Sequence, residues 1–378
     1  MSVFPRYIPL DATKGDDLLS SVRVLRVSDN ARFLATRISD ARTKDVPIFA
    51  EKSGEGTDGF EYDSEDSESD DENATYNTKL ASVILPTAAL SISRILNHPN
   101  IISLVDIDRI SSRAGTSRLA GPLADLTIWE DMNAGSLAYI VPSANALPPF
   151  DDKASWSMLA AQNYGRFSLP ESLCWHVLRS ISRALLWLHY GVKETAGVPG
   201  EYKIHDEDWQ PILIMDVSPS QIWFKKPDTR KGITYGDCKL GGFQTARVTG
   251  NRMAIAESMG NEPIFKQYYH APEIYTGSHP WTRASEIWSL GAVVYTMMTG
   301  IPPPRMFDYA WQVSRMCDKG FSEYVKPIIQ DMLQTDPAER PDTFDLVDMV
   351  DNQWRQWRGN TTEGRELFDK DDEKLSEV

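Results

Sequence analysis

Asp216 follows the apolar run Ile212-Leu213-Ile214-Met215, and Gln221 lies five residues beyond it. A carboxylate in such a place can accept a hydrogen bond from a hydroxyl substrate, which is general-base chemistry. The Gln221 amide could reach a metal ion. Further on, Cys238-Lys239-Leu240-Gly241-Gly242-Phe243-Gln244 offers a glycine, Gly242, which has no ligand to give. A cation is available at Lys52, at the end of the strand-like run 46–52. Cys174, Cys238 and Cys317 are three, scattered and odd in number, so they read as buried thiols of a reducing compartment rather than a disulfide framework.

The elements that must carry these residues fall into two halves. Residues 20–38 alternate as two strands around Ser28-Asp29-Asn30, and 46–52 reads as a third strand. A helix is expected at 79–97, with two more strands within 101–107 and 123–132. After residue 150 the pattern becomes helical. Cys174, Leu178, Ile181, Leu185 and Leu188 form one stripe of a helix at 170–189. Residues 282–299 are apolar on nearly every side, which marks a central helix, and further helices are expected at 322–334 and 342–357.

Charge sharpens the division. The net charge is −15, and residues 51–72 carry eleven acids against one lysine while 363–378 carry seven acids against three bases. The body is therefore nearly neutral, which disfavours nucleic-acid binding. No apolar run approaches the roughly 20 residues that span a bilayer. The reading is an N-terminal extension 1–19, a small lobe 20–132 with an acidic disordered insertion 53–78, a large lobe 133–351 with an insertion 190–210, and a charged tail 352–378.

Five further motifs occur in order: Phe49-Ala50-Glu51-Lys52, His98-Pro99-Asn100-Ile101, Ala271-Pro272-Glu273, Glu286-Ile287-Trp288-Ser289-Leu290-Gly291 and Asp336-Pro337-Ala338-Glu339-Arg340-Pro341. They resemble V-A-I-K, H-P-N-I, A-P-E, D-x-W-S-L-G and D-P-x-x-R-P of the eukaryotic protein kinase family. The segment from Ile214 to Gln221 then resembles H-R-D-L-x-x-x-N, and Gly242-Phe243-Gln244 resembles D-F-G. The resemblance covers about residues 20–350 and implies an α+β, two-lobed protein kinase-like fold: a small β-rich N-lobe with one main helix and a larger helical C-lobe. The Trp-Gln-Pro lead at 209–211 is similar to kinase-like proteins of filamentous fungi.

The same resemblance implies roles, and several are damaged. Phosphoryl transfer needs positioned phosphates, metal-neutralised charge and an oriented nucleophile. Asp216 stands where the base would be, or survives as a loop-capping residue. Lys52 takes the phosphate-binding lysine position, or is a solvated strand end; its partner glutamate would fall at Ala89. Glu130-Asp131-Met132 aligns with the adenine hinge, which makes Glu130 and Met132 candidate nucleotide contacts. Trp129 before them is the gatekeeper, filling the back pocket or serving as a core aromatic. The loop glycines become Arg26, Ser28 and Ala31. Gln221 and Gly242 replace both metal ligands, so no residue is assigned to metal. Glu273 and Arg340 are expected to pair, and Glu286 keeps the charge of the usual aspartate with one extra methylene.

The expected function is therefore a pseudokinase, a kinase-like domain acting as a binding or regulatory module with protein partners, in the cytoplasm or nucleus and away from membranes. The alternative is a divergent active Ser/Thr kinase, which would need ATP with Mg²⁺ or Mn²⁺. Ser67 and Ser69 in the acidic segment suit an acidophilic kinase, and Thr249 and Ser258 are available as activation-segment sites.

Overall fold

The computed structural model describes residues 6–10, 22–37, 78–79, 97–108, 126–143 and 147–372, the last apart from 149–151, 163–166, 250–254, 257–267, 304–308 and gaps of one or two residues. The expected strand 46–52, the acidic segment up to residue 77 and the expected helix between Lys79 and Asn97 lie outside the described residues.

The small lobe is built on alternation. Strands β1 (Tyr7–Pro9), β2 (Val22–Arg26) and β3 (Arg32–Arg37) are followed by the short β4 (Thr78–Lys79), then β5 (Leu104–Asp108) and β6 (Leu126–Glu130). Five of them form an antiparallel sheet in the order β1-β2-β3-β6-β5. Leu34 pairs with Trp129 and Ala35 with Ile128. Successive side chains point to opposite faces. Leu34 and Trp129 thus join the core shared with the large lobe, while Ala35 and Ile128 pack with Tyr7 and Val24 on the other face.

Two expectations change here. The sheet begins inside 1–19, because Tyr7 pairs with Arg26 and its hydroxyl donates to Asp106 Oδ2 at 2.8 Å. Three residues of strand paired across a loop of twelve have no local signature in the sequence. Lys79, expected as the first residue of a helix, is instead in β4, paired with Arg247.

The large lobe is helical around two buried rods. Helix α1 (Lys153–Gln162) precedes α2 (Glu171–Tyr190), whose stripe of Cys174, Leu178, Ile181, Leu185 and Leu188 is fully buried. Gly191 ends α2 in the left-handed region at φ 65°, and a side chain there would lie 2.6 Å from the Trp209 ring, so glycine is needed twice over. Helices α3 (Pro272–Tyr275) and α4 (Arg283–Thr299) follow. Thr282 and Ser285 form a capping box that starts α4, and the helix is buried on all sides. Next come α5 (Tyr309–Cys317), α6 (Val325–Met332), α7 (Thr343–Asn360) and α8 (Thr362–Glu366).

The segment expected as a charged tail from residue 352 is in large part structural: α7 runs to Asn360, Leu367 is buried in the main core, and Arg358 pairs with Asp372 at 2.7 Å. The 190–210 insertion is likewise ordered, as the hairpin β8 (Val192–Glu194) and β9 (Tyr202–Ile204), and the Tyr202 hydroxyl donates to Asp351 Oδ2 at 2.8 Å.

Two small sheets carry the site. One joins β7 (Gly135–Ser136), β11 (Ile222–Phe224) and β12 (Cys238–Leu240). The other joins β10 (Ile212–Leu213), β13 (Arg247–Val248) and β4. The loops 214–221 and 241–246 between these strands therefore face each other.

Candidate functional site

The loop after β10 turns sharply. Met215 takes φ 59°, a conformation costly for an unbranched side chain, so something must hold it. Glu286 of α4 does this: its Oε1 accepts from the Met215 N–H at 2.7 Å. Its Oε2 accepts from His189 Nε2 at 2.8 Å, and His189 Nδ1 lies 2.7 Å from the Thr343 hydroxyl. His189 and Glu286 are fully buried. The extra methylene of Glu286 does not prevent it from supporting the loop.

Asp216 comes next and is 3% exposed. Its Oδ1 accepts from the Ser218 hydroxyl at 2.7 Å and its Oδ2 from the Gln221 amide nitrogen at 3.0 Å. Since the Ser218 hydrogen goes to Asp216, the Ser220 hydroxyl 2.9 Å away is the donor to Ser218. Both carboxylate oxygens are thus engaged within the loop.

The second loop closes on the first. The Gly241 N–H donates to the Gln221 carbonyl at 2.8 Å, and the Thr245 hydroxyl to the Ile214 carbonyl at 2.8 Å. Gly242 has φ 81°, and a Cβ there would lie 2.5 Å from both Cδ and Oε1 of Gln221. The Gln221 side chain fills the space that a residue-242 side chain would need. A divalent cation of the kind the motifs imply does not fit this arrangement: one ligand position is glycine, and the volume beside it holds a carboxamide. Among the described residues no group of three or more His, Cys, Asp or Glu side chains is placed to hold a metal.

Phe243 is buried and stacks on Trp129 with ring centroids 5.8 Å apart and planes 20° apart. Trp129 Nε1 donates to Thr127 Oγ1 at 3.0 Å. The gatekeeper and the loop phenylalanine therefore form one aromatic layer behind the hinge.

At the hinge, Glu130 accepts from the Ser103 N–H at 2.8 Å, pairs with Lys239 at 2.6 Å, and also pairs with Lys225. Burial pushes its carboxyl up, but the two lysines and the backbone N–H outweigh burial and hold it below the ordinary glutamate value. These contacts tie the last residue of β6 to β12 and to the end of β11. Met132 is fully buried, and its carbonyl accepts from the Gly135 N–H at 3.0 Å.

Lys52 and Ala89 lie outside the described residues. The sheet nevertheless bears on the lysine position. β3 pairs directly with β6 from Phe33–Glu130 to Arg37–Leu126, so no strand lies between them. With β1 counted, β3 is the third strand, and its Leu34-Ala35-Thr36-Arg37 fits V-A-I-K with arginine in the lysine position. The residues between β1 and β2 include one glycine, Gly15, whereas Arg26, Ser28 and Ala31 lie in or beside the turn between β2 and β3.

The framework residues meet. Arg340 Nη1 and Nη2 donate to Glu273 Oε1 and Oε2 at 2.7 and 2.8 Å, and Ser285 donates to Oε1 at 3.0 Å. Burial raises the Glu273 carboxyl, but Arg340 overrides it, for a net lowering. The His98 turn seats on β12: Asn100 Nδ2 donates to the Cys238 carbonyl at 3.1 Å, and the Asn100 N–H to His98 Nδ1 at 3.2 Å. His98 is pushed down to about 3 by burial and then by Lys193, Arg183 and Lys239, which suits an acceptor nitrogen. Thr249, expected as an accessible site, is fully buried with its hydroxyl on the Pro211 carbonyl at 3.1 Å; Ser258 lies outside the described residues.

Sequence reasoning did not find His189, Lys225, Lys239 or the contact between Gln221 and Gly242. His189 had a usable signal, as a histidine on the apolar α2 beside an expected central helix carrying Glu286.

A protein kinase domain model matches residues 201–354. The chain is 28% identical to "Serine/threonine-protein kinase Nek5" of Mus musculus over 188 residues, 48% of this chain and 25% of that protein. It is 24% identical to "Probable serine/threonine-protein kinase nek2" of Dictyostelium discoideum over 261 residues, 67% of this chain and 48% of that protein. It is 21% identical to "G2-specific protein kinase nimA" of Emericella nidulans over 282 residues, 69% and 34% of the two chains. The chain thus spans less than half the length of these relatives. No helix among the described residues is long and apolar enough to cross a membrane.

Proposed function

We propose that this chain, which belongs to the eukaryotic protein kinase family, is a pseudokinase: a binding or regulatory module whose metal corner has become part of its core. One observation carries the reading. The Gln221 carboxamide fills the space beside Gly242 and donates to Asp216 Oδ2, so the corner is packed with the chain's own atoms. Phosphoryl transfer relies on metal ions that neutralise the developing charge, and loss of a principal electrostatic element commonly costs on the order of 10²-fold or more. The Trp129–Phe243 layer beside it adds a second packed contact, between the loop and β6. Asp216 acts here as an acceptor that shapes its loop. The retained framework presents a stable surface to a protein partner.

A thermal melt with ATP, with and without Mg²⁺ or Mn²⁺, tests the proposal through mass action. The expected result is no metal-dependent rise in midpoint. ATP-dependent phosphorylation of a protein substrate, abolished by Asp216→Asn, would overturn it.

The competing reading is an active Ser/Thr kinase. It is favoured by the well-supported loop that presents Asp216, with Glu286 on the Met215 N–H. If that reading holds, Arg37 of β3 is the proposed phosphate cation in place of Lys52, and Glu130 and Met132 carry the adenine through the hinge. A metal-dependent rise that Arg37→Ala removes and Lys52→Ala leaves intact would support it.

A further inference from the structure

Loss of a metal-binding asparagine and loss of a metal-binding aspartate look, in the sequence, like two separate events. We propose that Gln221 and Gly242 are one interlocked unit, in which the Gln221 carboxamide plugs the space of a residue-242 side chain and donates from there to Asp216.

Three contacts fix the plug. The Gln221 carbonyl accepts from the Gly241 N–H at 2.8 Å, which sets the two loops in register. The side chain then runs under Gly242, with Cγ, Cδ and Oε1 at 2.8, 2.5 and 2.5 Å from where a Cβ would be. Its nitrogen ends 3.0 Å from Asp216 Oδ2. Real Cβ atoms do not approach this closely, so a side chain at 242 makes the carboxamide, the end of a flexible side chain, shift and draws the donor away from a buried carboxylate. The left-handed φ of 81° at Gly242 adds strain to any such change. The unit constrains the loop whether or not nucleotide binds, so the inference stands apart from the pseudokinase reading and can fail separately.

The test is a double-mutant cycle on the full chain, read as melting midpoints in EDTA without nucleotide. Gly242→Ala is expected to lower the midpoint by about 6 °C and Gln221→Ala by about 3 °C, using roughly 2–4 °C per kcal/mol for a lobe of this size. The double variant is expected to fall no further than Gly242→Ala, because the plug is already displaced in that protein. Shifts that add to within about 1 °C overturn the inference. Gln221→Glu gives a second reading that leaves Gly242 in place, for use should Gly242→Ala not fold. It sets a second carboxylate against Asp216, so its midpoint at pH 7.5 should lie below that of Gln221→Ala. Equal midpoints for these two variants at pH 7.5 overturn the donor role.

Discussion

Two buried polar corners of the large lobe have fared differently. At one, Glu273 and Arg340 form a bidentate pair at 2.7 and 2.8 Å, with Ser285 completing the carboxylate. At the other, Asp216 keeps its carboxylate, but its partners are the hydroxyl of Ser218 and the amide of Gln221. In the first corner both charges belong to the chain. Removing either strands the other in a low dielectric, so the two are retained together. In the second, the kinase pattern makes the aspartate the residue that meets the substrate hydroxyl, while its neighbours on the two loops hold the metal ions. Here the Ser218 hydroxyl and the Gln221 amide, both on the same loop, each satisfy one oxygen of the carboxylate. Neutral donors satisfy a carboxylate without burying a second charge; an internal ion pair strands one charge when the other is lost.

The largest expected effect belongs to the retained corner. Arg340→Ala should destabilise the protein by roughly 3–5 kcal/mol in urea unfolding, since it leaves Glu273 buried without its charge partner. The pH profile sharpens this. The folded-state pKa of Glu273 is depressed, so its contribution is present above the unfolded glutamate value and is lost as pH falls through the folded one. The stability difference between wild type and Arg340→Ala should therefore shrink in acid. A difference unchanged between pH 7 and pH 3 would break the contrast drawn above.

Glu286→Gln is expected to come next, at about 1–3 kcal/mol, because the amide cannot accept from both the Met215 N–H and His189 Nε2 as the carboxylate does. Hydrogen exchange at Met215 should accelerate in this variant. Unchanged protection there would mean that the left-handed turn is held by something else.

The hinge gives a smaller effect. Glu130→Gln removes pairs with Lys225 and Lys239, the first of which is about one-third exposed, so solvent screening limits the loss to about 1 kcal/mol. The loss should decrease further at high salt. A salt-independent loss would place Glu130 with the buried corner rather than with the screened pairs.

The smallest expected signal is at Thr249. Its hydroxyl is buried on the Pro211 carbonyl, so mass spectrometry of native protein treated with a Ser/Thr kinase should find it unmodified. Stoichiometric phosphorylation would mean that β13 opens readily.

Much of the framework was legible in the residues. The stripe from Cys174 to Leu188 and the all-apolar 282–299 segment became α2 and α4. Their signal lies in spacing within a single helix. Ala271-Pro272-Glu273 and Arg340 found each other because both ends of a charge pair stay visible in the chain. The first strand was not legible: Tyr7–Pro9 joins the sheet through pairing with Val24–Arg26, which makes Arg32–Arg37 the third strand among the described residues. The ordered part of the supposed tail was missed because its burial depends on Leu367 meeting a core built from residues far away in sequence.

The sequence by itself carried the resemblance to protein kinases and the glycine at 242, since motifs are local and a glycine can offer no carboxylate. Only the tertiary structure decided what took their place. Where the Gln221 carboxamide ends depends on the space that a side chain at 242 would otherwise take and on a carboxylate five residues back. That volume exists only once β11 and β12 have brought the two loops together.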